Sequence, residues 1–168
     1  MAFSTTAKFL LVATAALLSA PSIDASRSAP ATRVTGGCSP SKVKYALSSR
    51  GTTTTSGDLV TIPDTAINFT QSKAGCVIVD FTATTRLDDP PPGVIVIHPL
   101  LKESGGTIVP SEPQDAVLNF STVDADIRTI QFVFWAVAPG SYTLRMQMHS
   151  AGGGGIVVIG PNVVAHYN

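Results

Sequence analysis

The residues able to do chemistry are few and scattered along the chain. The three histidines, His98, His149 and His166, are not spaced at i, i+2 or i, i+4, so no local pair exists to hold a metal ion. The carboxylates Asp88, Asp89, Asp124 and Asp126 fall in expected connections. Oxygen-rich loops at one end of a β-sandwich can bind Ca²⁺, which makes these four the weak calcium candidates. Ordinary turn chemistry accounts for them as well, because Asp bonds the backbone two residues on. No D-x-D-x-D-G loop is present, and neither a metal centre nor a cofactor is expected. The only glutamates, Glu103 and Glu112, lie in expected loops and do not suggest a glycosidase pair. There is no G-x-S-x-G elbow, and the glycine run 152–155 lacks the helix and Lys-Ser/Thr of a phosphate loop. No catalytic residue is assigned. An enzyme would need Asp80, His98, Arg145 or His149 to converge in one pocket.

Aromatic and polar side chains on strand faces are the remaining candidates. Between Thr129 and His149 the chain reads as strand, two-residue turn and strand, a hairpin folded at Pro139-Gly140. Ile130, Phe132, Phe134 and Ala136 alternate with Gln131, Val133, Trp135 and Val137. After the turn, Tyr142, Leu144, Met146 and Met148 alternate with Thr143, Arg145, Gln147 and His149. A period of two places successive side chains on opposite faces of a pleated strand, one packed and one wetted. Tyr142, Leu144, Met146 and Met148 are expected in the core with Phe132 and Phe134. Trp135, Arg145, Gln147 and His149 are then the candidate binding residues. If the Trp135 face is outside, its ring is a platform for sugar stacking or part of a subunit contact; if both faces are covered, it is core.

Other segments share this grammar. Lys42 to Ser49 is an expected strand, with Val43, Tyr45 and Leu47 on one face. The Thr/Ser/Gly run from Arg50 to Asp58 is either a loop or a Thr-rich edge strand. Leu59 to Ile62 and Ala66 to Thr70 are short strands broken at Pro63-Asp64. From Gly75, the residues Val77, Val79, Phe81 and Ala83 point one way and Ile78, Asp80 and Thr82 the other. Asp80 could pair with Arg145 or Arg128, or face water. The stretch Arg86 to Gly93 carries three consecutive prolines and reads as an exposed connection. Val94 to His98 is a strand that Pro99 should end, and Ala116 to Ser121 is another. Ile156 to Tyr167 closes the chain with an interruption at Gly160-Pro161-Asn162. No helical period is sustained and no internal repeat is visible. About eight to ten strands with frequent turns fold as an all-β antiparallel β-sandwich, jelly-roll-like.

The N-terminus reads differently. Lys8 precedes the apolar run Phe9 to Leu18, and small residues follow. That is the pattern of a secretory signal peptide over 1–26, with cleavage after Ala20, Ser22 or Ala25. The run is about half the ~20 residues needed to cross a bilayer, so no transmembrane segment is expected. Residues 27–37 read as a flexible leader, and 38–168 as a single β-sandwich domain. The expected location is secreted or periplasmic. In an exported protein the two cysteines, Cys38 and Cys76, are expected to form a disulfide, the alternative being two buried thiols. Acidic and basic residues balance at 11 each and form no runs, which argues against nucleic acid as a partner.

Three stretches carry a resemblance. Gly75-Cys76-Val77-Ile78-Val79-Asp80-Phe81, together with Phe132-Val133-Phe134-Trp135 and Ala138-Pro139-Gly140-Ser141-Tyr142-Thr143-Leu144-Arg145-Met146-Gln147, resembles small exported bacterial β-sandwich proteins, mostly uncharacterised. Those share a GCVVVxF strand and a PGxHTVRxQ strand, and here Tyr142 stands where His is common. The resemblance implies a fold and an envelope location and carries over no catalytic residue. The turn and strand at Pro139 to Leu144 are also similar to jelly-roll and TNF-like domains, where that strand packs at a trimer core. The expected function is an exported, non-catalytic binding module for a glycan or a surface protein. The alternative is a self-assembling subunit of a homo-oligomer whose Val/Trp face is the contact.

Overall fold

In the computed structural model, which describes residues 38–88 and 93–168, every regular element is a β-strand. In chain order these are β1 (Lys42–Leu47), β2 (Gly51–Thr54), β3 (Val60–Thr61), β4 (Ile67–Gln71), β5 (Gly75–Leu87) and β6 (Gly93–Glu103). Then come β7 (Ile108–Val109), β8 (Ala116–Phe120), β9 (Asp126–Val137), β10 (Gly140–Ser150) and β11 (Ile156–Tyr167). The signal segment and leader at 1–37 lie outside the described residues, as does Asp89.

The strands form two antiparallel sheets. The first runs β1-β11-β5-β9, with β2 also on β11. The second runs β3-β10-β6-β7, with β4 also on β10 and β8 also on β6. Set aside the short β2, β3 and β7, and number the rest from one to eight. The sheets then read first–eighth–third–sixth and second–seventh–fourth–fifth, a jelly roll. The expected fold class is therefore the observed one.

The core lies where the alternation placed it. Val77, Val79, Phe81 and Ala83 of β5, Phe132 and Phe134 of β9, and Tyr142, Leu144, Met146 and Met148 of β10 are all buried in one cluster. Burying each large apolar side chain contributes about 1.5–3 kcal/mol. Cys38 and Cys76 form the disulfide, with Cα atoms 5.4 Å apart, tying the segment before β1 to the start of β5.

Three expectations fail for physical reasons. The segment Thr129–His149 is not a hairpin, because β9 and β10 belong to different sheets. Pro139-Gly140 turns the chain across the sandwich instead, and Gly140 and Ser141 pair with Gln71 and Thr70 of β4. An apolar face pointing inward looks the same whether two strands share a sheet or oppose each other across the core.

Second, Val137 does not share the face of Trp135. Opposite the stretch from Gly75 to Val77, β9 bulges, and Ala136 takes a left-handed φ of 52°. The extra residue resets the alternation, so Val137 turns into the core.

Third, Pro99 does not end its strand. β6 continues to Glu103, with Pro99 opposite Met146. Both backbone groups of Met146 point away from β6. Its N–H donates to Thr65 Oγ1 at 3.1 Å, and its carbonyl accepts from Ile62 N at 2.9 Å. The missing N–H of Pro99 would thus have pointed toward the gap between β8 and β7, where no ladder partner waits.

Each long side of the sandwich is closed by a different device. On one, Lys44 Nζ donates across to Asn68 O of β4 at 2.8 Å, and Lys42 Nζ reaches Ser72 Oγ at 3.4 Å. On the other, the segment 110–114 between β7 and β8 leaves the second sheet and bridges to the edge of β9. Glu112 and Val133 exchange both backbone hydrogen bonds, at 2.8 and 2.9 Å.

Candidate binding faces

The bulge and the bridging segment together position Trp135. The bulge follows it directly, so the indole stands at the rim of the first sheet, half-buried, rather than in the middle of a flat face. Glu112, fixed by its paired backbone bonds to Val133, accepts a hydrogen bond from Trp135 Nε1 on Oε2 at 3.0 Å. Ser111 Oγ donates to Pro113 O at 2.8 Å and holds the same segment. Pro110, Ser111, Glu112, Gln114 and Trp135 line an open groove of about 440 Å³. The groove offers a ring, a carboxylate held in place and a side-chain amide. That set suits a hydroxyl-rich ligand, whose C–H face can lie against indole while its hydroxyls bond to the rim.

The partnership of Glu112 with Trp135 is not visible in sequence. The two are far apart along the chain and meet only because a loop of one sheet crosses to the edge of the other.

Arg145, Gln147 and His149 do not join Trp135. They lie on the outer face of the second sheet, whereas Trp135 belongs to the first. There Gln147 stands opposite His98, His149 opposite Val96, and Arg145 opposite Leu100. His98 Nδ1 and Asp115 Oδ1 are 2.8 Å apart. His149 Nδ1 is shielded from solvent with no hydrogen-bond partner among the described residues.

Asp80 and His166 lie on the outer face of the first sheet. Gln131 Nε2 donates to Asp80 Oδ1 at 2.9 Å, and His166 Nε2 is 3.4 Å from Asp80 Oδ2. Asp80 thus pairs with neither Arg145 nor Arg128, and Arg128 pairs with Asp126 at 2.7 Å. The set Asp80, His98, Arg145 and His149 is divided between two opposite surfaces. Around Asp80, the first sheet also exposes Val43, Tyr45 and Leu47, at 56%, 70% and 63% of full accessibility. Their register partners on β11 are His166, Val164 and Asn162.

Of the calcium candidates, Asp88 is 3.5 Å from Arg86 and Asp126 is held by Arg128. Among the described residues no group of three or more His, Cys, Asp or Glu side chains is arranged to hold a metal ion. Nor is any helix among them long and apolar enough to cross a membrane.

The sequence matches no protein-family profile and no curated protein. A solved structure shares the fold, and two others align less well. A chain of the structure of infectious bursal disease virus Gt strain aligns with a TM-score of 0.51 and 14% identity, over 75% of this chain and 33% of that one. The Gx strain structure aligns at 0.47 and 13%, over 77% and 34%. A family two carbohydrate esterase from Cellvibrio japonicus aligns at 0.28 and 11%, over 74% and 34%. This chain therefore spans about a third of the length of the chains it matches. At 14% identity the first of these likenesses is one of fold alone: an antiparallel β-sandwich.

Proposed function

We propose that this chain is an exported, non-catalytic β-sandwich module that binds carbohydrate in the Trp135 groove. The observation that carries this reading is the locked indole. Trp135 is half-buried, held by Glu112, and set in a groove whose rim is polar on three residues: Ser111, Glu112 and Gln114. An aromatic ring fixed before the ligand arrives loses little conformational entropy on binding, which is where a shallow site gains affinity. Export is supported by the signal-like N-terminus and by the closed disulfide, since such bridges persist in oxidising compartments. The likeness to small exported bacterial sandwiches agrees with that placement.

Because Trp135 is the only tryptophan, its fluorescence reports on the groove alone. Titration with a panel of neutral oligosaccharides is expected to give a saturable change for at least one of them. Calorimetry with that sugar should show at least a tenfold loss of affinity in Trp135→Ala. A panel without any saturable response, or calorimetric affinity unchanged in Trp135→Ala, refutes the reading.

A second reading has its own observation. Val43, Tyr45 and Leu47 form an exposed row on the first sheet, beside Val164, Ile78 and Val133. Such a face is suited to contact with another copy of the chain. Light scattering over a range of concentrations tests this. A stable oligomer that Tyr45→Lys dissociates supports it, and a monomer throughout refutes it.

A further inference from the structure

The geometry points to a second, separate site on the outer face of the other sheet, where Lys102 and Arg145 hold an anionic group between them. It does not depend on the Trp135 groove, which lies on the first sheet.

The placement follows from register. In the β6–β10 ladder, Lys102 stands opposite Thr143 and Arg145 opposite Leu100. Lys102 and Arg145 are therefore diagonal neighbours on one face, close enough for their long side chains to meet over the same spot. A cleft of about 340 Å³ opens there, lined by Leu100, Lys102, Glu103, Ser104, Thr143 and Arg145.

Both cations lack a partner among the described residues. The other arginines there are paired: Arg50 with Asp64, Arg86 with Asp88 and Arg128 with Asp126. Lys42 and Lys44 close the side of the sandwich. That leaves Lys73, on the β4–β5 connection, as a third cation without a partner.

One carboxylate also lines the cleft. Glu103 follows Lys102 in the strand and stands opposite the buried Tyr142, with its Oε1 toward Gly140. Two cations against one carboxylate leave the cleft net positive. Asp115 is engaged by His98. The hydroxyl protons of the cleft are already engaged in hydrogen bonds: Thr143 Oγ1 donates to Asn68 Oδ1 at 2.7 Å and Ser104 Oγ to Ser141 O at 3.0 Å. The donors left for a ligand are the guanidinium and the ammonium.

Two like charges side by side repel, and an anion between them removes the repulsion while gaining charge-assisted hydrogen bonds. The guanidinium fork matches two oxygens of a sulfate, phosphate or carboxylate group, and the ammonium supplies a point charge beside it. The ligand class is thus an oxyanionic group: a sulfate ester, a phosphate ester or a carboxylate.

The test is an amide NMR titration of the full chain at low ionic strength with glucose 6-sulfate, glucose 6-phosphate and glucuronate, and with glucose as the uncharged control. Saturable shifts at Lys102, Thr143, Arg145 and their neighbours are expected for at least one anion, and none at these residues for glucose. The anion that binds tightest identifies the source. Arg145→Ala should weaken that binding at least tenfold, and raising the salt should weaken it as well. Lys73→Ala and Trp135→Ala should leave it unchanged, which separates this site from bulk charge and from the Trp135 groove. No saturable shift with any of the three anions, or an equal loss in Lys73→Ala, overturns the proposal. Preserved amide dispersion in Arg145→Ala shows that any loss is not one of folding.

Discussion

Opening the Cys38–Cys76 disulfide is the perturbation whose size follows most directly from the structure. The bridge spans 38 residues of sequence, a loop that includes β1 through β4. Closing a loop of that length removes about 13 cal/mol/K of entropy from the unfolded chain, or about 3.9 kcal/mol at 25 °C. For a domain of roughly 130 residues, each kcal/mol moves the melting temperature by about 3–5 °C. Paired Cys38→Ala and Cys76→Ala substitution should therefore lower Tm by about 12–20 °C. Urea unfolding should show the same loss as a lower midpoint. Most of the effect should be present in the double variant without further loss on adding reductant, while the parent protein should fall to the same level when reduced. A drop below about 3 °C would refute the reasoning. It would mean that the unfolded chain already keeps these segments together, or that β1 detaches on its own without weakening the rest. Hydrogen exchange confined to β1 would identify the second cause.

Three further outcomes are expected. Leu144→Ala removes a fully buried side chain between the sheets and should cost about 2–5 kcal/mol by urea unfolding; a loss under about 0.5 kcal/mol would put that residue outside the core. Ala136 sits at a φ of 52°, which L-residues adopt at a cost of about 1–2 kcal/mol. Ala136→Gly should thus leave stability unchanged or raise it, while the β-branched Ala136→Val should lower it by more than about 1 kcal/mol. An unaltered urea midpoint in Ala136→Val would count against the bulge. Burial, with the Glu103 carboxylate second, raises the pKa of Tyr142 above 10.0. The unfolded chain then loses this proton first, so the contribution of Tyr142 is whole below pH 10 and declines as pH rises above it. Tyr142→Phe should flatten that alkaline decline. It should also cost about 1 kcal/mol near neutrality through loss of the 3.0 Å hydrogen bond to Ala138 O. An alkaline decline of unchanged slope would exclude Tyr142 as its source.

Much of the fold could be read from alternation alone. Val77 to Ala83 and Tyr142 to Met148 declare an inward face at every second position, and burial follows it without exception. What alternation does not carry is which strands share a sheet. β9 and β10 looked like a hairpin because their inward faces are equally apolar, and only pairing over long sequence distances separates them. Local backbone devices were hidden for a related reason. Ala136 is an unremarkable residue that resets the phase of β9, and Pro99 is tolerated because of what its neighbouring strands leave unpaired. The candidate residues were individually legible and collectively not. Trp135 and Arg145 both fall on the face opposite the apolar one in the expected hairpin, and the turn at Pro139-Gly140 sends them to opposite outer surfaces. Glu112, by contrast, carried no signal linking it to Trp135.

The crossing of residues 110–114 to the edge of β9 has a consequence for how this protein can change over time. That short stretch is the wall of the Trp135 groove and also the cover over strand amides that would otherwise be free to pair with a neighbouring molecule. Lengthening or loosening it would reshape the groove and uncover the edge in the same stroke. The shape of the groove and the cover of the β9 edge are thus coupled through one segment. Variation should accumulate in the side chains at 110, 111 and 114, while the backbone path through Glu112 stays fixed.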